Sequence, residues 1–291
     1  MGDRPGALAK SSAGPAPRGV TGVEQLARAG ATRAVRRLLP DEVRRGLRFR
    51  LVANRVTRRL YDDWRELDMV ESRLRRGPSE ADVTVGMTER VVEIPWVLSR
   101  YRGERRVLDI GPAFAQPLYV QHLTRLGIPE LHGVDLAPVG VPGMRMTRAD
   151  VRQMPFADWS FDLITCVSTL EHIGRDNAHY LVQAPTDVVE GDLATLRELR
   201  RVLGASGRIL ITVPFGRLDI QDWQKQYDLT AWRSLLERAA LQAVETEFFG
   251  YTPVGWRRVA DPAALAGSGY RADGAPGATG VCCAALTRSD G

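Results

Sequence analysis

The sequence predicts an α/β protein, built as a doubly wound, mostly parallel sheet of about seven strands with a helical appendage at its N-terminus. Three observations lead there. Between Arg106 and Pro214, short aliphatic and β-branched runs alternate with helical stretches, and parallel strands need such crossover connections. From Arg106 to Tyr119 a strand-like run ends on Asp109 and passes into a tight turn of small residues, as a parallel strand does on entering a nucleotide-binding loop. The charge also divides along the chain. Residues 1–80 hold 18 basic against 10 acidic residues, which leaves 22 against 25 for the rest.

Each element follows in order. Residues 1–20, rich in Gly, Pro, Ala and Ser, read as a disordered tail, and residues 21–80 as the basic helical appendage. In the appendage Leu26, Val35, Leu38, Leu39, Val43 and Leu47 recur among arginines, and Pro40-Asp41 separates one helix from the next. The stretch Arg75 to Ser79 reads as a linker, and Thr88-Glu89 opens a helix that leads to the first strand. Strands are expected at Arg106–Ile110, Glu130–Leu136, Met144–Ala149, Phe161–Val167 and Arg208–Pro214. Helices are expected at Leu118–Leu126, from a cap at Asp192 through Val202, and at Thr230–Leu241. Ala243–Tyr251 and Gly280–Thr287 complete the sheet, so the α/β domain covers residues 86–291.

Composition narrows the function. Cys166, Cys282 and Cys283 are too few and too badly spaced for a disulfide framework, no Cys/His cluster has zinc spacing, and no metal is expected. No run approaches the roughly 18 apolar residues of a membrane span, and no signal-peptide core opens the chain, so a cytoplasmic protein is expected. Of the 40 basic residues only Lys10 and Lys225 are lysines; this arginine bias, with the abundance of Ala and Gly, suggests GC-rich coding and discounts the basic signal. The domain itself is mildly acidic, which argues against nucleic acid as a partner. For the basic helices, a solvated arginine face and a surface docking on a peripheral membrane, a carrier protein or a second copy of the chain both stay open.

Five segments in a fixed order carry a resemblance. Val107–Gly111, Gly133–Leu136, Ala149–Ile164, Leu170–Ile173 and Glu198–Pro214 resemble class I S-adenosylmethionine-dependent methyltransferases, small-molecule and glycan enzymes among them. The resemblance implies a Rossmann-like fold, S-adenosyl-L-methionine as cofactor and methyl transfer in a biosynthetic pathway. It leaves the N-terminal helices unexplained. The glycine loop departs from the family pattern, because Gly111 is followed by Ala113 and Ala115 where glycines are common, and alanine reaches positive φ less cheaply.

The chemistry of the cofactor gives each residue a task. Asp135, ending strand two, can accept from both ribose hydroxyls, with Leu136 beside it. Asp109, with the backbone of Gly111 and Ala113, would serve the methionine end, Asp109 from behind. Asp150 could accept from the adenine amine or cap a helix, and Val151 and Met154 would offer the ring apolar surface. Methyl transfer requires alignment and exclusion of water, and a protonated nucleophile gains from a base. His172, just after strand four, and His179, in the following loop, are the candidates; a structural hydrogen bond is the alternative for His172. His122 reads as a helix-face residue and His132 as a strand residue. Tyr180, Arg217, Trp223 and Tyr227 would line a polar pocket for a ring-bearing acceptor, such as a sugar or phenol, although Trp223 could equally anchor its loop. The expected function is methyl transfer to a hydroxyl of a small-molecule or glycan acceptor. The alternatives are a catalytically silent partner subunit and a nicotinamide-dependent oxidoreductase, the latter disfavoured because no Gly-x-Gly-x-x-Gly is present.

Overall fold

The computed structural model describes residues 55–177 and 190–289, so the expected tail and the helical segment up to residue 54 lie outside the described residues. Five helices are described: α1 (Arg55–Arg76), α2 (Arg90–Leu98), α3 (Pro117–Arg125), α4 (Gly191–Val202) and α5 (Leu229–Arg238). The first five strands are β1 (Arg106–Ile110), β2 (Glu130–Asp135), β3 (Arg145–Arg148), β4 (Phe161–Val167) and β5 (Leu203–Pro214). β6 (Asp219–Ile220) and β7 (Lys225–Gln226) form a short ribbon of their own, and β8 (Leu241–Thr252), β9 (Gly255–Val259) and β10 (Gly280–Arg288) finish the chain.

The main sheet has eight strands in the order β3-β2-β1-β4-β5-β10-β8-β9, against about seven expected. Strands β1 to β5 run parallel, and β10 inserts antiparallel between β5 and β8. The extra strand is β9, whose Gly-Trp-Arg-Arg-Val sequence carries little apolar alternation. Trp256 fixes it, its backbone N–H donating to Thr84 Oγ1 at 2.6 Å and its indole N–H to the Met87 carbonyl at 3.0 Å.

Both faces of the sheet are covered, and the side-chain period of two sorts the core accordingly. Leu108, Ile164, Ile209, Ile211, Cys282 and Ala284 pack with Leu196, Leu199, Trp232 and Leu235 from α4 and α5. On the opposite face Val107, Leu163, Leu210, Val281 and Cys283 meet Ile94, Trp96 and Val97 of α2, Tyr119 and Leu123 of α3, and Val70 of α1. Each such aliphatic side chain contributes roughly 1.5–3 kcal/mol by leaving water. Pro95 lies inside α2 and cannot donate to the carbonyl one turn back, that of Val91. Arg73 of α1 supplies the missing donor: Nη1 reaches Val91 O at 2.8 Å, while Nε pairs with Asp82 at 2.8 Å.

Boundaries differ from expectation where tertiary contacts decide them. Asp192 does not cap α4; Glu190 holds the N-cap position without a side-chain bond, and Asp192 lies inside the first turn, buried and paired with Lys225. The cap chemistry expected there is found at α5, where Asp228 accepts from the Ala231 N–H at 2.7 Å, and at α3, where Gln116 accepts from Leu118. The turn expected at 205–207 falls inside the continuous strand β5, where the register against β4 shifts: Phe161 pairs with Leu203 and Leu163 with Arg208.

Candidate functional site

β1 is the central strand, with β2 on one side and β4 on the other, so the chain leaves its carboxyl end at the point where strand order reverses. A cleft opens there. Its lining includes Gly111, Asp135, Leu136, Asp150, Val151 and His172, all expected from sequence, together with Phe114, Arg152, Thr169 and Asn177, which were not.

Gly111 shapes the floor. It adopts φ 76° and starts a 3-10 turn over Pro112–Phe114, and its N–H donates to Val134 O at 2.9 Å. A Cβ there would stand 2.8 Å from Thr169 Cγ2 and 2.9 Å from Thr169 Oγ1, so both the dihedral and the space demand glycine. Ala113 and Ala115 are absent from the positive-φ residues, so the alanines in this loop carry no backbone strain. The Ala113 N–H is in use. It donates to Asp135 Oδ2 at 3.1 Å while the Ala137 N–H donates to Oδ1 at 2.9 Å, so two backbone donors aim one carboxylate whose remaining lone pairs stay available. Burial raises the Asp135 pKa, against the pull of those N–H groups.

The other cofactor candidates are placed differently. Asp109 sits beneath the cleft, 1% exposed, and does not line it. Its Oδ1 accepts from Tyr119 and Thr165 hydroxyls, each at 2.6 Å, whereas Oδ2 is buried without a partner. Burial pushes this carboxyl up to about 7. Asp150 caps no helix; it accepts from the Arg152 N–H and is gripped by the Arg152 guanidinium at 2.6 Å, which holds its pKa down against burial. Val151 and Met154 are buried in the core layer that includes Ile110 and Val134, and of the two only Val151 lines the cleft.

His172 stands on the 3-10 turn after β4. Its Nδ1 lies 2.9 Å from the Trp223 carbonyl, which can only accept, so Nδ1 carries the proton and Nε2 is the lone-pair nitrogen of the neutral ring. Nε2 is 3.9 Å from Glu171 Oε1. Trp223 stacks on the imidazole with centroids 5.6 Å apart, and Tyr270 meets Trp223 edge-on at 5.1 Å. Arg217 is exposed. Tyr227 is fully buried, its hydroxyl donating to Asp192 Oδ2 at 3.1 Å, and it faces a second cavity instead of the cofactor cleft. His179 and Tyr180 lie outside the described residues. His122 lies on α3 and His132 on β2, the latter edge-on to Phe156 and Phe161. Neither lines the cleft.

The second cavity adjoins the cleft through Ile173 and Gly174, which line both. Glu171 lines it, 3% exposed, with Oε2 buried and unpartnered. Burial, with Glu93 and Glu89 nearby, pushes its carboxyl up to about 8, against the pull of its own backbone N–H and of Arg90. Glu171 stands inside the Leu170–Ile173 segment, but the sequence reading gave it no role, because an acid in a loop reads as solvated.

S-adenosylmethionine fits the cleft. The Gly111 cradle admits close approach, Asp135 offers aimed acceptors for a diol, Val151 and Leu136 give apolar surface, and the orphaned Asp109 Oδ2 leaves an unused acceptor beneath the cleft. Among the described residues no group of His, Cys, Asp and Glu could hold a metal ion, and no helix is long and apolar enough to cross a membrane.

Comparison with known proteins agrees with this geometry. Residues 108–211 match a family model described as a methyltransferase domain. Among solved structures the chain is similar to the YcgJ protein from Bacillus subtilis (17% identity, 68% of this chain and 99% of that one, TM-score 0.45). It is also similar to the [4+2]-cyclase SpnF (14%, 80% and 95%, 0.49) and to a SAM-dependent methyltransferase from Methanosarcina mazei (13%, 67% and 98%, 0.43). No protein of curated function matches. The matched segment runs from β1 into β5 and contains Gly111, Asp135, Asp150 and His172, so the cleft described above lies within the part of the chain that matches a methyltransferase domain.

Proposed function

We propose that the enzyme methylates a hydroxyl of a small-molecule or sugar acceptor in a biosynthetic pathway. The observation that carries this reading is the tautomer of His172. A hydroxyl starts protonated and gains roughly 10²–10⁴ in rate from a positioned base. With Nδ1–H committed to the Trp223 carbonyl, Nε2 is the nitrogen able to take a proton, at the carboxyl end of β4 and on the wall of the cofactor cleft.

Bound S-adenosylmethionine supplies an electrophilic methyl group on a sulfonium. Asp135 would hold the ribose diol, Leu136 and Val151 the adenine faces, and the Gly111–Ala113 backbone the methionine end, with Asp109 behind it. Trp223 orients His172 by stacking and by its carbonyl, and with Tyr270 offers an aromatic surface for the acceptor ring. His179, Tyr180 and Arg217 are assigned to the acceptor side by their place in the sequence after β4 and β5. The basic N-terminal segment is read as the surface that meets a membrane, a carrier protein or a second copy. Three buried thiols without a disulfide suit a reducing cytoplasm.

Calorimetric titration with S-adenosylmethionine, its demethylated product and both nicotinamide nucleotides, followed by methyl transfer from labelled donor to a panel of hydroxyl compounds, tests the reading. Binding of the first two and label on oxygen are expected. A protein that binds S-adenosylmethionine yet methylates no member of the panel would favour the silent partner subunit instead.

A further inference from the structure

The second cavity has a volume of about 500 Å³, within the range of small-ligand sites, and it opens beside the cofactor cleft at Ile173 and Gly174. Among the described residues three cations line it: Lys225 pairs with Asp192 at 2.7 Å, Arg238 pairs with Glu190, and Arg175 makes no ion pair with Glu171. Glu171 is left with a buried Oε2 that no group among the described residues meets. Near it lie Glu93, fully buried, and Glu89, whose Oε2 is likewise buried and unpartnered. Arg90 of α2 pairs with Glu93 and is the guanidinium these three carboxylates share.

Ionising all three carboxyls about one guanidinium would leave negative charge in excess, and burying an uncompensated carboxylate is costly. Cations relieve that cost. We propose that the hydroxyl acceptor also carries a protonated amine, seated in this cavity against the Glu171 carboxylate, which makes the substrate class an amino sugar or amino alcohol. The inference rests on the hydroxyl-acceptor reading above. An ammonium held by a carboxylate has no lone pair to attack with, so the amine is the handle and a neighbouring hydroxyl the nucleophile. The cavity's position suits this division, because Glu171 and His172 are consecutive residues that line adjoining spaces. The raised Glu171 pKa agrees with a group whose charged form lacks a partner in the free protein.

The test uses the full chain saturated with the demethylated cofactor product. Glucosamine and galactosamine, each against its N-acetyl derivative and its parent neutral sugar, are titrated by saturation-transfer NMR. At least tenfold preference for the free amine is expected, with Glu171→Gln abolishing it while cofactor-product affinity stays within twofold. The free variant should melt no lower than the parent, since an amide replaces a buried carboxyl that has no partner to lose. Absence of amine preference in both series, or a preference that survives Glu171→Gln, overturns the proposal. Locating the methyl separates the two readings. Methyl on the oxygen of amine and neutral sugar alike would keep the hydroxyl reading and end the amine proposal. Methyl on nitrogen, with a preference that depends on Glu171, would end the hydroxyl reading and leave the amine seat standing.

Discussion

At the carboxyl ends of β2 and β3 the carboxylates that face the cleft are held by the chain itself: Asp135 by the N–H groups of Ala113 and Ala137, Asp150 by Arg152. Beyond β4 Glu171 is buried more deeply and held less well, carrying an orphaned oxygen as does Glu89 at the N-cap of α2. Pre-formed polar groups suit a ligand that is always the same, and backbone donors give a fixed aim at no cost in side-chain entropy. Unmatched charge suits a ligand that brings its own counter-charge. The two regions therefore differ in how much of their site is finished before the ligand arrives.

The largest expected effect falls on the β4 side. His172→Ala should lower turnover by about 10²–10⁴ if Nε2 takes the hydroxyl proton, with donor affinity nearly unchanged. His172→Gln, which can keep a donor toward the Trp223 carbonyl, separates a base from a loop anchor. Turnover and its pH profile, measured beside the affinity for S-adenosylmethionine, decide the matter, and normal turnover in both variants would leave positioning alone as the source of catalysis.

On the cofactor side Asp135→Asn should weaken donor binding by roughly 10- to 100-fold, because charge-assisted hydrogen bonds to the diol contribute about 1.5–3 kcal/mol each and the amide keeps one acceptor. Its effect on melting should be small by comparison. Asp135→Ala would also strand two backbone N–H groups, so it is the worse probe. Gly111→Ala should cost affinity about tenfold through positive φ and the Thr169 contact. The double variant with Thr169→Ala should recover the steric part only, and full recovery would show that the dihedral does not matter.

What could be read from the sequence follows the same divide. β1, β2 and β4 are runs such as Val107–Ile110 and Phe161–Val167 whose apolar residues face both packed layers, and Asp135 and Gly111 stand where strand-end chemistry puts them. The burial of Glu171, Glu93 and Asp192 was invisible because it depends on which elements close over an acid, and nothing local records that. Arg152 was missed for a related reason: its grip on Asp150 is an i,i+2 contact made by a turn geometry that the residue types permit but do not demand. β9 stayed hidden because its stability lies in Trp256 and the 84–87 segment, some 170 positions away along the chain.

A smaller effect concerns pH. Glu171 is raised from 4.5 to about 8 and Asp109 from 3.8 to about 7, both chiefly by burial. In this window the unfolded chain releases these protons while the folded protein keeps them. Stability is thus fully present below the unfolded values and falls as pH rises through the folded ones. The melting temperature should drop by several degrees between about pH 4 and pH 8. Glu171→Gln should flatten the upper part of that decline and Asp109→Asn the lower part. A melting temperature that rises across the window would mean that the carboxyls are ionised in the free protein, and the contrast between the two regions would fail.

The smallest effect bears on the alanines of the cofactor loop. If Ala113 were a damaged glycine, Ala113→Gly should restore binding. The structure gives the opposite expectation, since Gly111 alone in this loop has positive φ and Ala113 lies within the 3-10 turn opened by Pro112, with its N–H already donated to Asp135. Glycine at such a position adds freedom to the unfolded chain and gives nothing back to the folded one. It should destabilise by about 0.4–1 kcal/mol, equivalent to roughly 1–4 °C in a domain of this size. Donor affinity should stay within about twofold, because the group that meets Asp135 is the backbone N–H, which both residues have. Calorimetry on Ala113→Gly beside the parent resolves both quantities, and a gain in affinity would show that the loop needs more conformational freedom than Gly111 provides.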